Sequence, residues 1–359
     1  MKSKRLILLV CLLILSGCWD EKQLKDVTLV SLLGIEGNPG EIKAEFSFPV
    51  IENESISYLT SSGSGISLRD ARSDANHRTK EALDIASVEV VLITEESAKS
   101  DLYGYLDMLY RDPRNRLSGH IAIVQGELKP YFESTENMQE DVAGYYVELL
   151  HTAVMYTYIP DISIQTTGTT LFGEDMDLAL PYIKIDVESK TPEIAGVALF
   201  SGKNFTGKTL DMRESIILSL LKKKKGRYTR LVYYWKDDES ESPLAVEVIN
   251  IKKKWKITKD KINATYDLDL NVEEFPHDSL DEEKTIKELN EFLSKEITKE
   301  FNGVVKEIQK AKSDSVGFGR TVRAFHRDLW DKGDWQETFS EIPIDVKVNA
   351  KITRTGILN

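Results

Sequence analysis

Residues 279–312 read SLDEEKTIKELNEFLSKEITKEFNGVVKEIQKAK, the clearest structural signal in the chain. Its apolar side chains recur at three- and four-residue steps, with lysines and glutamates between them: Ile286, Leu289, Leu293, Ile297, Phe301, Val304 and Ile308. This spacing predicts an amphipathic helix that starts from a Ser279-Leu280-Asp281-Glu282 capping box. The helix should run to about Lys312, a length of roughly 50 Å at 1.5 Å per residue. Its apolar stripe is expected to pack on the chain's own sheet, with partner binding as the alternative.

The sequence around this helix predicts strands. Three β-prone runs precede it and suggest a meander: Arg227 to Trp235, Ala245 to Ile257 and Ile262 to Val272, with a turn at Asp237-Asp238-Glu239. Ile342 to Ile352 alternates apolar and polar residues, as a half-buried strand does. The carboxy-terminal half is therefore expected to be a sheet with one long helix.

A short helix over Met212 to Leu221 ends in four lysines and Gly226. Lysines in a last turn followed by glycine suit the negative end of a helix. Lys222 to Lys225 therefore predict a helix terminus. A membrane- or phosphate-binding role is the alternative for the same run.

The amino-terminal half predicts alternating strands and helices. The strands are Val27–Ile35 and Ile42–Val50, joined at Gly37-Asn38-Pro39-Gly40, then Val88–Thr94, Gly119–Gly126 and Tyr182–Glu188. Ile194–Ser201 is predicted as the first strand of the carboxy-terminal half. The helices are Ser67–Ile85, with a narrow face of small residues, Ser97–Tyr110 and Glu136–Thr157. Loops are expected at Thr60–Ser67, Thr166–Thr170 and Gly173–Asp177. This alternation suggests a sheet covered on one face.

Together these patterns predict an α+β protein with mixed β-sheets flanked by helices, in two to three domains. The predicted boundaries are 1–17 for a signal peptide, 18–190 for an amino-terminal α/β region with up to two subdomains, and 191–359 for a carboxy-terminal α+β domain.

The first eighteen residues have the form of a lipoprotein signal. Basic Lys2, Lys4 and Arg5 precede an apolar run, Leu6 to Leu15, that is too short to span a bilayer. The run closes on Leu15-Ser16-Gly17-Cys18, a lipobox, in which the Cys18 thiol receives a diacylglyceryl group and the chain is cut before it. An ordinary secretory signal with a chance cysteine is the alternative. Lipidation of Cys18 would place the mature chain on the outer face of a membrane.

Composition limits the partners and the chemistry. Cleavage would leave 44 basic residues against 59 acidic ones, so nucleic acid is not expected and anionic lipid would not hold the chain by net charge. Cys11 leaves with the signal and Cys18 carries lipid, which excludes an intramolecular disulfide.

No catalytic constellation is evident. The five histidines, His77, His120, His151, His277 and His326, lack the spacing of metal ligands on one helical face, and His120 is expected to be a hydrogen-bonded core residue. Gly202-x4-Gly207-Lys208-Thr209 matches the phosphate-loop pattern, but Phe205 is bulky where the backbone would have to curl around phosphate. We therefore predict no enzyme, no catalytic residues, no metal and no cofactor.

Several motifs, taken in order, resemble one family. They are Cys18-Trp19-Asp20, Leu32-Leu33-Gly34-Ile35-Glu36, Arg116 to Val124, Gly196 to Phe200, Asp314-Ser315-Val316-Gly317-Phe318-Gly319, then Trp330, Trp335 and Val346-Lys347-Val348. The chain thereby resembles the Ger(x)C family of spore germination lipoproteins, the C subunits of nutrient germinant receptors. Arg320-Thr321-Val322-Arg323 departs from the family pattern, and the match around Asp161 to Asp177 is loose.

The resemblance implies a non-enzymatic subunit, lipid-anchored at Cys18 in the outer leaflet of the inner spore membrane. Its implied partners are an A-type and a B-type integral membrane subunit, and its implied fold is α+β in about three domains. Whether this subunit binds a nutrient directly is left open by the sequence. The alternatives are a substrate-binding lipoprotein of a transporter and, less favoured, an envelope hydrolase.

Overall fold

The computed structural model describes residues 26–52, 55–136, 141–236, 241–277, 279–331 and 333–356. The amino-terminal strands are β1 (Val27–Leu29), β2 (Leu32–Asn38), β3 (Glu41–Glu52), β4 (Ser55–Gly65), β5 (Ala82–Asp84), β6 (Val90–Thr94), β7 (His120–Val124), β8 (Ala179–Ile185), β9 (Pro192–Ser201) and β10 (Asn204–Leu210). The helices among them are α1 (Leu68–Asn76), α2 (Glu95–Ala98), α3 (Leu102–Arg111), α4 (Lys129–Glu136), α5 (Val142–Met155) and α6 (Ile164–Leu171).

Eight of these strands form one mixed sheet in the order β10-β9-β8-β7-β6-β2-β3-β4. The four middle strands, β8, β7, β6 and β2, are parallel, and antiparallel neighbours extend the sheet at both ends. The predicted hairpin is confirmed, because Asn38 pairs with Glu41 across a Pro39-Gly40 turn.

Helices cover both faces of this sheet, so the expectation of a single covered face was wrong. Successive residues of β6 enter different clusters: Val90 and Leu92 pack with α4 and α5, whereas Val91 and Ile93 pack with α1 and α3. Every residue of β6 is buried, as in parallel strands covered on both sides.

Two segments predicted as loops are regular structure. Thr60–Gly65 belongs to β4, which pairs with β3 along its whole length. Thr166–Thr170 lies in α6, where Ser163 and Thr166 form a capping box and Gly168 lies against the Tyr110 ring. Local hydrogen bonding and tertiary packing outweigh the loop-like composition in both cases.

Three predicted helices are shorter than expected. The helix predicted over Glu136–Thr157 is α5, which runs from Val142 to Met155. The helix beginning at Ser67 ends at Asn76, whose side-chain oxygen accepts a hydrogen bond from the Leu83 amide as the chain turns into β5. The helix predicted over Ser97–Tyr110 is divided into α2 and α3, because Asp101 caps a new helix start at Leu102.

The carboxy-terminal part contains a second, four-stranded sheet, in the order β11-β12-β13-β14. Its strands are β11 (Arg230–Lys236), β12 (Glu241–Ile257), β13 (Ile262–Glu274) and β14 (Ile344–Arg354), and its helices are α7 (Met212–Leu221), α8 (Glu283–Lys310), α9 (Phe318–Phe325), α10 (Arg327–Trp330) and α11 (Trp335–Glu341). The predicted meander is confirmed for β11, β12 and β13, and β14 is parallel to β13. The turn predicted at residues 237–239 lies outside the described residues.

The long helix α8 packs on this sheet, as its apolar stripe predicts. Leu289, Leu293 and Ile297 are fully buried there with the inward residues of β14. The predicted capping box at Ser279 was wrong. The Glu282 amide donates a hydrogen bond to the Ser279 carbonyl in a turn that precedes the helix, and the helix begins at Glu283.

Helix α7 joins the two sheets. Its residues 215–221 are all buried, and the apolar ones among them belong to a core cluster that contains residues of both sheets. A helix that is apolar on every side is suited to an interior position. The predicted division at 190/191 falls within the first sheet, because β9 pairs with β8 and β10 pairs with β9 there.

Candidate functional site: the buried Asp314 junction

The segment between α8 and α9 lies in the interior rather than on the surface. Ser313, Asp314, Ser315 and Phe318 have no exposed area, and Val316 is 5% exposed. Polar backbone groups in such a place need internal hydrogen-bond partners. The Asp314 carboxylate supplies several of them.

Asp314 accepts four hydrogen bonds. Its Oδ1 accepts from the amides of Gly317 at 2.9 Å and Phe318 at 3.0 Å. Its Oδ2 accepts from the Gly319 amide at 2.6 Å and from Trp335 Nε1 at 2.9 Å. The carboxylate therefore holds the first amides of α9 and ties α11 to them.

Asp177, just before β8, reaches the same place from the first sheet. Its Oδ2 accepts from the Asp314 amide at 2.7 Å, and its own amide donates to the Asp314 carbonyl at 3.1 Å. Its Oδ1 accepts from the Gly202 amide, in the turn between β9 and β10, at 2.7 Å. One side chain thus links the first sheet to the loop that follows the long helix.

Two glycines allow the close packing of this loop. A Cβ at Gly319 would lie 2.4 Å from Trp335 Nε1 and 2.7 Å from the Asp175 carbonyl oxygen. Gly317 has a φ of +86° and lies against Met176. Both positions need glycine, one for space and one for backbone conformation as well.

Aromatic rings enclose the loop on the side of the second sheet. Phe318 packs against Trp255 with ring centroids 4.5 Å apart, and Phe339 lies 6.3 Å from it. The Trp335 ring stacks on Trp330 at 5.7 Å. This shell keeps water from the Asp314 carboxylate.

Burial sets the proton affinities of the junction. It raises the pKa of Asp314 to about 7, although the four N–H donors favour the charged form. Burial also raises the pKa of Asp177. The ammonium of Lys222 donates to the Ser315 carbonyl, and burial lowers the pKa of Lys222 to about 8.

This arrangement is suited to holding parts of the molecule together. Both carboxylates are engaged as acceptors of backbone amides, and the described part of the chain has no cluster of three side chains that could bind a metal. What the geometry supports is fixation of the junction between the first sheet and the loop that follows α8.

The sequence-predicted residues do not gather at this junction. Cys18 lies outside the described residues. Gly202 forms the turn between β9 and β10, Gly207 interrupts the register of β10, and Lys208 forms an ion pair with Glu307 at 2.7 Å. The phosphate-loop match is therefore part of a β-hairpin. His120 begins β7 and is only partly buried.

Sequence reasoning did not predict the roles of Asp177, Asp314 and Lys222. One signal for Asp314 was present: an aspartate three residues before a Gly-x-Gly segment, directly after the long helix. Asp177 lay in a stretch predicted as a loop, and nothing in its neighbours indicates burial.

Two family profiles match the chain in series. The one described as "Spore germination protein N-terminal domain" matches residues 20–185, and "Spore germination B3/ GerAC like, C-terminal" matches residues 195–356. The chain belongs to the Ger(x)C family of spore germination proteins. The segment Asp314 to Gly319, one of the motifs that resemble the family, is the centre of the junction in this Ger(x)C protein.

Named relatives align over nearly their full lengths. The chain is 23% identical over 366 residues to spore germination protein GerQC of Bacillus cereus, covering 99% of each chain. It is 25% identical over 404 residues to spore germination protein KC of Bacillus subtilis (strain 168), covering 98% of this chain and 95% of that one. The crystal structure of the GerBC protein has the same fold, with a TM-score of 0.55 and 16% identity over 93% of this chain.

Among the described helices, none is both long and apolar enough to cross a bilayer.

Proposed function

We propose that this protein is the lipid-anchored C subunit of a nutrient germinant receptor. The observation that carries the proposal is the match of both family profiles, in order, to residues 20–185 and 195–356. The named relatives are spore germination proteins, and they align from end to end with this chain. The role of such proteins in germination is therefore the role we assign to the whole mature chain.

We place the protein at the inner spore membrane, held by diacylglycerol on Cys18. The supporting sequence is the lipobox Leu15-Ser16-Gly17-Cys18, directly before the first family profile. An acidic chain gains little from anionic lipid through its net charge, so the acyl chains would supply most of the attachment. The partners in this proposal are the A-type and B-type membrane subunits of the receptor.

The architecture supports a role in assembly or signalling over a role in chemistry. Helix α7 and the junction of Asp177 with Asp314 bind the two sheets into a common core. Such a core can transmit force or hold partners at fixed positions. We accordingly assign the protein no reaction of its own.

Deletion of the gene tests the receptor role. Dipicolinate release is measured from wild-type and deletion spores across a panel of amino acids and sugars. We expect the response to one nutrient class to be lost and to return on complementation. Normal release with every nutrient would contradict the proposal.

The alternative, a substrate-binding lipoprotein, makes a separate prediction. Such proteins hold a ligand between lobes that close on it, whereas here the two sheets share buried apolar residues. Calorimetry of the full chain with the same amino acids and sugars distinguishes the roles. Micromolar binding of a nutrient by the isolated chain would favour the alternative.

A further inference from the structure

Two basic stretches, Lys222–Lys225 and Arg320–Arg323, meet in the folded protein. Lys222 and Lys224 follow the end of α7, and Arg320 lies in the first turn of α9. Lys253, from β12, joins them at the same opening. Residues from three separate elements therefore place four cationic side chains around one cleft.

The cleft has the size of a small-molecule site. Its volume is about 450 Å³, and its walls combine these four cations with the apolar surfaces of Met176, Trp255 and Val316. A narrower space of about 180 Å³ adjoins it and shares Lys222, Lys224 and Arg320. Ligand sites are commonly concave, apolar and provided with a few convergent polar groups, as this cleft is.

No carboxylate lines the larger space among the residues that the structure describes. Arg320 and Arg323 share one acidic partner, Asp175, at 3.5 and 3.6 Å. Lys224 and Lys253 form no ion pair with a described carboxylate, and Lys253 lies over the Trp255 ring at 4.1 Å. The cleft is thus locally positive on a protein whose formal net charge is −12.

Clustering of these cations costs free energy. Burial is the largest cause that lowers the pKa of Lys222, and the charges of Arg320, Lys253 and Lys224 lower it further against the opposing charge of Asp314. Burial and then the charge of Lys223 lower the pKa of Lys253, which Asp314 again opposes. Like charges held together in this way are relieved by a bound anion, and a walled cleft strengthens that attraction.

We propose that the cleft between α7, β12 and α9 binds a small multivalent oxyanion. Ammonium and guanidinium groups recognise phosphate and carboxylate oxygens through charge-assisted hydrogen bonds. The cleft is broad enough for a compact anion of this kind, which is either free in solution or the phosphate group of a lipid. This site does not depend on the receptor role of the protein.

Calorimetry with the full chain in neutral detergent, at pH 7 and low salt, tests the site. Sodium pyrophosphate and citrate serve as free-anion probes. In a second arm, the mature chain from Trp19 onward, which has neither the basic and apolar signal residues nor an acyl anchor, is floated with phosphatidylglycerol or phosphatidylcholine vesicles. Binding of a free probe identifies a soluble ligand, and binding only to phosphatidylglycerol identifies a lipid phosphate.

A matched pair of variants controls for net charge. Lys224→Ala with Lys253→Ala removes two exposed cations from the cleft and should weaken binding at least tenfold. Lys252→Ala with Lys254→Ala removes two exposed cations from the opposite face of β12 and should leave binding unchanged. Equal losses in both variants, or no binding to any probe, would overturn the proposal.

Discussion

At the scale of single residues, Asp314 organises the junction because its two oxygens meet four donors at once. Three of those donors are the backbone amides of consecutive residues, so the backbone there must turn tightly around the carboxylate. Gly317 and Gly319 do this, and Trp335 completes the set from α11. The junction therefore depends on the carboxylate, the two glycines and the indole together.

Gly319→Ala should destabilise the protein. The added methyl group would meet Trp335 Nε1 at 2.4 Å and a backbone oxygen at 2.7 Å. Overpacking of this kind costs about 1–3 kcal/mol of unfolding free energy. Urea unfolding measures the change.

Gly303→Ala is the matched control. Gly303 is an exposed residue inside α8, and a Cβ there would meet no atom of the described chain within 4 Å. Alanine should stabilise the helix by about 0.5–1 kcal/mol. A similar change in both variants would show that the contact at Gly319 is unimportant.

Lys222 should make stability depend on pH in the alkaline range. Burial lowers its pKa to about 8 in the folded chain, against about 10.4 for a free lysine. Between these values the unfolded chain holds a proton that the folded chain has lost, so this lysine makes stability rise with pH. Asp314 favours the charged lysine, whereas Arg320, Lys253 and Lys224 oppose it.

The melting temperatures of wild type and Lys222→Met, measured from pH 7 to 10.5, test this. The difference between them should shift in favour of the wild type as the pH rises from about 8 to about 10. A constant difference would contradict the assigned burial of the ammonium.

The junction could not be predicted in full from the sequence, for a physical reason. Asp177 and Asp314 are separated by 137 positions, and their hydrogen bonds arise only after both sheets have formed. The segment from Asp314 to Gly319 resembles a family motif, but no local pattern shows that a carboxylate there is buried. Hydrophobic periodicity predicts which face of a single helix or strand is apolar, but it does not predict which polar groups form hydrogen bonds in the interior.

At the scale of elements, strand β4 shows how composition can mislead. Its Ser and Gly residues favour a loop, yet α1 packs directly on them. A Cβ at Gly63 would lie 2.0 Å from the Ala71 carbonyl oxygen and 2.7 Å from the Ala75 amide. The small-residue face of α1, which the sequence did predict, therefore matches a strand that lacks large side chains.

Elements with a strong apolar period were predicted well. Met212–Leu221 has the predicted bounds, and the alternation in β14 puts Val346, Val348 and Ala350 into the core. In these elements the local preference of the sequence for helix or strand agrees with the side-chain packing in the folded chain. Weakly patterned segments such as α6 depend on capping and tertiary contacts, which the composition does not display.

Leu293→Asp should unfold or aggregate the carboxy-terminal part. Leu293 has no exposed area and lies in the middle of α8 against the sheet. Loss of its packing together with burial of an unpaired charge costs at least about 3 kcal/mol. Circular dichroism and urea unfolding measure the loss.

Glu291→Asp controls for the introduced aspartate, because Glu291 is exposed on the same helix. It should change stability only slightly. If Leu293→Asp folded normally and lost only a partner, the stripe would be an interface, and the packing account would be refuted.

At the scale of the whole molecule, the two sheets are parts of one body. The first sheet extends through β10, and a common core reaches from β6 to α8 and β14. The predicted boundaries 18–190 and 191–359 stay a prediction. We propose that the structural division follows Leu210, where the chain leaves the first sheet for α7.

The whole-molecule account depends most on the anchor at Cys18. Because acyl chains would supply the attachment, a chain without them should leave the membrane and its partners. Cys11→Ala is the matched control, since Cys11 lies in the predicted signal peptide and would be removed with it.

The most direct test is nutrient-triggered dipicolinate release from spores that carry Cys18→Ala or Cys11→Ala in place of the wild-type gene. Our account predicts that Cys18→Ala spores lose the response to the same nutrient class as deletion spores, while Cys11→Ala spores respond normally. Normal release from Cys18→Ala spores, with the variant present at wild-type abundance, would contradict a lipid-anchored receptor subunit.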